Sequence, residues 1–135
     1  MYLKPITEYI ATETGLTVNT NLFYGFFPQG MARNILASVI TARNNNKVNG
    51  YLADYIDLDI TIYTVAPNYA PAEVGAFAIY TALHSRFAVD LPIITVGQEF
   101  EIMTLIATSA PTYEGQDERN NHVFRTSYNI KIENK

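Results

Sequence analysis

The clearest signal along the chain is strict two-residue alternation from Tyr55 to Val65. Ile56, Leu58, Ile60 and Ile62 fall on one side, and Asp57, Asp59, Thr61 and Tyr63 on the other. Successive side chains of a strand point to opposite faces, so this stretch predicts a strand with one face in the core. Val123 to Glu133 repeats the pattern, setting Phe124, Tyr128, Ile130 and Ile132 against Arg125, Ser127, Asn129 and Lys131. A strand is also expected over Glu99 to Ser109, with Phe100, Ile102 and Ile106 sharing a face. Leu16 to Phe27 is rich in β-branched and aromatic residues and predicts a short strand, interrupted at Pro28-Gln29-Gly30. Asn34 to Ala42 is apolar on both alternating sides, the pattern of a strand covered on both faces, although its period alone leaves a helix open.

Two segments carry helical spacing instead. Leu3, Ile6, Tyr9 and Ile10 come together on a helix running to Thr14, with Gly15 placed where a left-handed residue ends it. A second helix is expected from Pro71, at its first position, to about Phe87, with Glu73 complementing the positive end of its dipole. Ala72, Ala76, Ile79, Tyr80, Leu83 and Phe87 form its apolar stripe. Val74, Gly75, Phe77 and Ala78 leave much of the other side uncharged too, so this helix is expected to be covered on more than one side. Arg43 to Gly50 and Pro111 to Asn121 read as polar loops, and Pro92 and Gly97 punctuate another connection. The resulting order, α-β-β-β-α-β-β, predicts one α+β domain over residues 1–135. Its core would be an antiparallel sheet of four to five strands with two helices packed on one face.

Composition narrows the function. Of the 135 residues, 48% are hydrophobic and 16% charged, the latter below the roughly 25% usual for soluble domains, so part of the uncharged surface is expected to meet protein. Ten tyrosines and seven phenylalanines agree with that, tyrosine combining a large ring with a polar tip. A formal net charge of −4 disfavours a general nucleic-acid binder. With no cysteine there is no disulfide framework or thiolate site. No apolar run approaches the roughly 20 residues of a membrane helix, and the N-terminus lacks a secretory layout, so the chain is expected to be intracellular when made.

Candidate chemistry is sparse. His84, on the second helix, and His122, at a strand start, lie in different elements without a second ligand nearby in sequence. No metal or other cofactor is therefore expected, and His84 reads as a surface or interface residue at a helix end that favours cations. Asp57-Leu58-Asp59 and Glu99-Phe100-Glu101 each put two carboxylates on one strand face, which can bind a cation or share a proton. The plainer reading is a polar sheet face on which Arg125 and Lys131 balance Glu99 and Glu101. Neither a nucleophile elbow nor a phosphate-binding glycine loop is present, and no enzymatic activity is expected.

Three stretches together resemble a family of bacteriophage minor capsid proteins understood as tail terminators. The first is the opening helix leading into Gly15-Leu16-Thr17-Val18-Asn19-Thr20-Asn21-Leu22-Phe23-Tyr24-Gly25-Phe26-Phe27-Pro28. The second is Leu58 to Thr64 followed by Ala72 to Arg86. The third is Ser109-Ala110-Pro111-Thr112-Tyr113-Glu114-Gly115-Gln116-Asp117-Glu118-Arg119 leading into Phe124-Arg125-Thr126-Ser127-Tyr128-Asn129-Ile130. The resemblance covers nearly the whole chain, with Met31 to Ala53 its weakest part.

This likeness implies a non-enzymatic virion protein of the tail or neck, assembled in the host cytoplasm. It would form a ring, expected to be a hexamer, that caps the tail tube, stops its polymerisation and meets head-completion or connector proteins. DNA would pass through without specific binding, and no membrane is involved. A head–tail connector role is the alternative within the class, and a small-ligand module or hydrolase the alternative outside it. Candidate partner contacts are Arg43, Asn45 and Lys47 in one loop and Tyr113, Asp117, Glu118 and Arg119 in the other, since exposed loops on a rigid sheet suit such contacts. Asp57 and Asp59 are candidates for the channel wall, where they would repel phosphate.

Overall fold

The computed structural model describes residues 3–25, 36–44, 55–91 and 99–134. Helix α1 (Leu3–Thr14) comes first, followed by strands β1 (Leu22–Tyr24), β2 (Ala37–Asn44) and β3 (Tyr55–Ala66). Helix α2 (Tyr69–Leu83) leads to β4 (Arg86–Asp90), β5 (Phe100–Ala107), β6 (Thr112–Gln116) and β7 (His122–Asn134). The strands form one sheet in the order β1-β2-β3-β7-β5-β4, with β6 lying beside the remaining edge of β7. The fold is α+β as expected, but among the described residues the sheet has seven strands and is mixed: β1 runs parallel to β2, and the other strand pairs are antiparallel.

The long alternating segments make the centre of the sheet. β3 and β7 pair without a break from Tyr55↔Glu133 to Ala66↔His122. Directly opposed residues share a face, so Leu58, Ile60 and Ile62 fall in line with Ile130, Tyr128 and Thr126. That face buries Ile6, Tyr9 and Ile10 of α1 together with Ile79 and Leu83 of α2, which puts both helices on one side of the sheet. α1 ends as its sequence predicts: Gly15 takes a left-handed φ of 76° and donates its N–H to the Ala11 carbonyl at 2.9 Å.

α2 departs from expectation at both ends. It starts at Tyr69, so Pro71 is its third residue rather than its first, still within the turn whose N–H groups lack helical partners, and Glu73 lies beyond the first turn. It stops at Leu83 because His84 is extended (ψ 135°) and Ser85 takes a left-handed φ of 63°. The chain then turns back, and Phe87 belongs to β4 instead of the helix. Under the middle of α2, Gly75 lets the helix come close: an added Cβ would lie 3.0 Å from Leu36 Cδ1 and 3.4 Å from Thr64 Cγ2. Beneath it the buried hydroxyls of Ser38 and Thr64 satisfy one another at 3.0 Å.

Alternation misleads in β5. Ile102 faces Ile132, but Thr104 rather than Met103 faces Lys131, and Leu105 faces Ile130. One extra residue bulges out, and every later side chain changes face. Leu105 is therefore in the core at 2% exposure, and Ile106, expected to share a face with Phe100 and Ile102, is 42% exposed. The expected polar loop from Pro111 to Asn121 is also part strand: β6 pairs with the start of β7, leaving residues 117–121 as a hairpin tip.

One core group is polar without a partner. The Tyr128 hydroxyl is buried between sheet and α2 and meets no hydrogen-bond partner among the described residues. Burial pushes its phenol well above the ordinary value of 10.0.

Two measurements follow by urea unfolding. Leu105→Ala is expected to cost about 2–5 kcal/mol and Ile106→Ala to stay within about 0.5 kcal/mol, an inversion of what unbroken alternation requires. Tyr128→Phe removes an unpartnered buried hydroxyl and should be neutral or stabilising by roughly 1 kcal/mol. The folded phenol ionises above the pH at which the unfolded one does, so its contribution holds below about pH 10 and is lost as pH rises further. The Phe variant should therefore lose less stability than the parent above that pH.

Candidate interaction surfaces

The face of the sheet opposite the helices carries its charges at one end. Register sets Asp57 across from Lys131, and Asp59 between Asn129 on β7 and Arg43 on β2. Asn129 Nδ2 donates to Asp57 Oδ1 at 2.5 Å and to Asp59 Oδ1 at 3.3 Å, while Lys131 Nζ donates to Asn129 Oδ1 at 3.0 Å and lies 3.7 Å from Asp57 Oδ2. Arg43 approaches Asp59 Oδ2 at 3.5 Å. Each carboxylate thus has its own cation and the two share an amide, an arrangement that balances charge instead of sharing a proton. Asp57 is only 8% exposed, which burial of a carboxylate permits because a donor and a cation face it. Of the two residues expected on a channel wall, Asp59 is the more exposed.

The expected balance of Glu99 and Glu101 by Arg125 and Lys131 does not form. Glu101 stands opposite Glu133 in the β5–β7 register. Arg125 instead pairs with Glu114 of β6 at 2.8 Å, and Lys131 turns to Asp57. The β5–β7 register sets Glu101 two residues along β7 from Lys131, and β6 beside the start of β7 gives Arg125 a different acid as neighbour.

At the opposite end of the β3–β7 pair, the β6–β7 hairpin carries the second set of expected contacts. Tyr113 is not a free loop residue: its ring packs 5.1 Å from Tyr69 at the start of α2 and 5.3 Å from Phe124. The Tyr113 hydroxyl and His122 Nδ1 are 2.8 Å apart, and Gln116 Nε2 lies 3.4 Å from His122 Nε2. Asp117 is structural, its Oδ1 accepting the Arg119 N–H at 2.8 Å and the Asn121 N–H at 2.9 Å to close the tip. Glu118 and Arg119 are exposed on that tip. Asn45 and Lys47 lie outside the described residues, so the structure brings Arg43 together with Asp57 and Asp59 and keeps Tyr113, Asp117, Glu118 and Arg119 apart from them.

The histidines have structural work. His84 Nδ1 accepts the Ala107 N–H at 3.1 Å, and its ring stacks on Tyr80 at 5.2 Å, tying the end of α2 to β5. With Nδ1 accepting, the contact assigns the ring N–H to Nε2. Arg86 supplies a cation at this helix end, donating Nε–H to the Ala82 carbonyl at 2.7 Å. Among the described residues there is no group of three or more metal-ligating side chains, and no helix is long and apolar enough to cross a membrane.

The least settled surface is the outside of α2. Ala72, Ala76, Ile79 and Leu83 face the core, which turns Val74, Phe77, Ala78 and Thr81 outward. Val74 is 68% and Phe77 42% exposed, and the only charged side chain of the helix is Glu73. An apolar groove of about 210 Å³ flanks it, where Val74, Gly75 and Ala78 meet Leu16 and Leu36. On the other face of the sheet, beside the ionic cluster, an open depression of about 440 Å³ is lined by Thr41, Arg43, Asp59, Thr61, Thr108 and Ser127 among others. The apolar excess of α2 was readable in sequence; the depression was not, since it draws on β2, β3, β7 and the residue after β5.

No protein-family model and no curated protein matches the sequence. Among solved structures, the fold is similar to a chain described as "Virion of native gene transfer agent (GTA) particle", at 15% identity and a TM-score of 0.60, covering 92% of this chain and 84% of that one. At that identity the likeness establishes a shared fold.

Two substitutions separate the buried from the exposed half of the ionic cluster. Asn129→Ala takes a donor from the buried Asp57 and is expected to cost about 1–3 kcal/mol. Arg43→Ala removes a partner from an exposed pair and should cost no more than about 1 kcal/mol. Equal losses in urea unfolding would contradict this division.

Proposed function

We propose that this chain is a structural protein of a phage-like virion, a tail terminator whose copies form a ring, most simply a hexamer, on the end of the tail tube. The observation that carries the reading is the near full-length likeness of its fold to a chain from a gene transfer agent virion. The resemblance of its sequence to tail terminators gives that likeness a position in the particle. The ring would halt tube polymerisation, meet the head-completion or connector protein on its other side and let DNA pass without specific binding.

The physical character of the chain fits assembly better than catalysis. A ring subunit meets two neighbours and so needs two contact surfaces, and a helix nearly devoid of charge with an apolar outer side supplies one. The polar side chains that do cluster are satisfied by one another, with cations facing the acids. Such groups hold a surface in shape and do not present a poised base or nucleophile.

Native mass spectrometry of the purified chain is expected to show a closed ring near six copies. Deletion of its gene from the producing genome should yield tails of abnormal length. Normal-length tails beside unattached heads would instead assign the chain to the head–tail connector, and a strict monomer would remove both roles.

A further inference from the structure

Resting on that ring reading, we infer that the joint between neighbouring subunits is made by the outer ridge of α2 from one copy seated in the threonine-lined depression on the open sheet face of the next, with Glu73 meeting Arg43. The two surfaces lie on opposite sides of one sheet: α2 covers one face, while the depression opens on the other. A surface on one side that fits a different surface on the other gives a head-to-tail contact, the kind that generates rings.

The size fits. α2 has fifteen residues and is about 22 Å long at about 1.5 Å per residue. The depression crosses β2, β3 and β7, whose outer axes are only about 10 Å apart. One helix is therefore long enough to cover it.

The chemistry fits as well. The ridge of Val74, Phe77 and Ala78 needs a floor without unsatisfied polar groups. Thr41 and Thr108 supply part of one, because their hydroxyls already donate to sheet carbonyls, of Thr61 at 3.4 Å and of Ser127 at 3.2 Å.

Charge selects a second copy as the occupant. Copies that each carry a net charge of −4 repel, so they meet most readily where acids are few or matched. Glu73 is the only acid on α2, and Arg43 is the cation at the rim of the depression. The Arg43 side chain is 82% exposed and its contact with Asp59 is the weak kind made in water, so it is able to bridge to a neighbour's carboxylate. On this arrangement Asp59, also at that rim, belongs to the subunit joint rather than the channel wall.

The test is native mass spectrometry on the full chain and its variants, with thermal unfolding to confirm folding. Val74→Asp, Phe77→Asp and Arg43→Glu change exposed side chains and should each convert the ring to smaller species with the unfolding midpoint of the monomer unit retained. Glu73→Arg should do the same, and the exchange Arg43→Glu with Glu73→Arg should restore the ring. A wild-type ring that persists in Val74→Asp and Arg43→Glu overturns this joint while leaving the ring reading intact. Failure of the exchange to restore it overturns the Glu73–Arg43 contact, and a wild-type chain that is monomeric at every concentration overturns joint and ring together.

Discussion

The unbroken register of β3 against β7 is the constraint on which the other features depend. Twelve consecutive pairs, from Tyr55↔Glu133 to Ala66↔His122, assign every side chain of both strands to a face. A slip of β7 by one residue against β3 would turn Ile130 toward solvent and drive Lys131 beneath the helices, so burial of one face specifies the register strongly. The same register places Asn129 within reach of both aspartates. Core and ionic cluster are thus two consequences of one alignment.

What was legible in the sequence follows from how local each cause is. α1 and β3 declare themselves by spacing within their own residues, and their bounds lie where the pattern ends. β4 does not, because Arg86 and Phe87 read as the end of the helix, whereas the left-handed Ser85 has already turned the chain. The bulge at Met103 is invisible locally, since Phe100, Ile102 and Ile106 do alternate; only pairing with β7 shows that Leu105 is the inward residue. β6 is the same kind of case, a polar stretch made a strand by the edge of β7. At the surfaces, Arg43, Asp57 and Asp59 were recognisable one by one, but their grouping with Asn129 and Lys131 required the register.

α2 shows how one element can serve stability and, in the proposed joint, assembly. Most helices on a sheet have one apolar stripe, and a polar outer side keeps them monomeric. Here the inward stripe is built from small and medium residues, Ala72, Ala76, Ile79 and Leu83, and Gly75 brings the axis close to Leu36 and Thr64. The core therefore makes no use of Val74 or Phe77. Keeping these apolar groups in water is unfavourable by roughly 25 cal/mol for each Å² exposed, a cost that association on this side would relieve. Two ties to β5 hold the ridge in place, the stacked His84 ring and the turn into β4.

A head-to-tail contact by itself does not limit growth: copies related by a rotation that fails to close build a filament. Closure of the proposed ring would therefore depend on the angle between the two surfaces, an angle held within the chain by the sheet. β2, β3 and β7 carry the depression on one face and support α2 on the other, so their shared twist fixes how the ridge is oriented relative to the depression. Rigidity at these strands matters more than at the hairpin tip. The ladder from β2 through β3 to β7 has no bulge, whereas irregularities are confined to β5 and to β6 against β7. In the proposed joint, the regular part of the sheet would thus set the geometry of assembly. The irregular part is left to shape the hairpin, where Tyr69 and Tyr113 keep partly exposed rings in contact with one another.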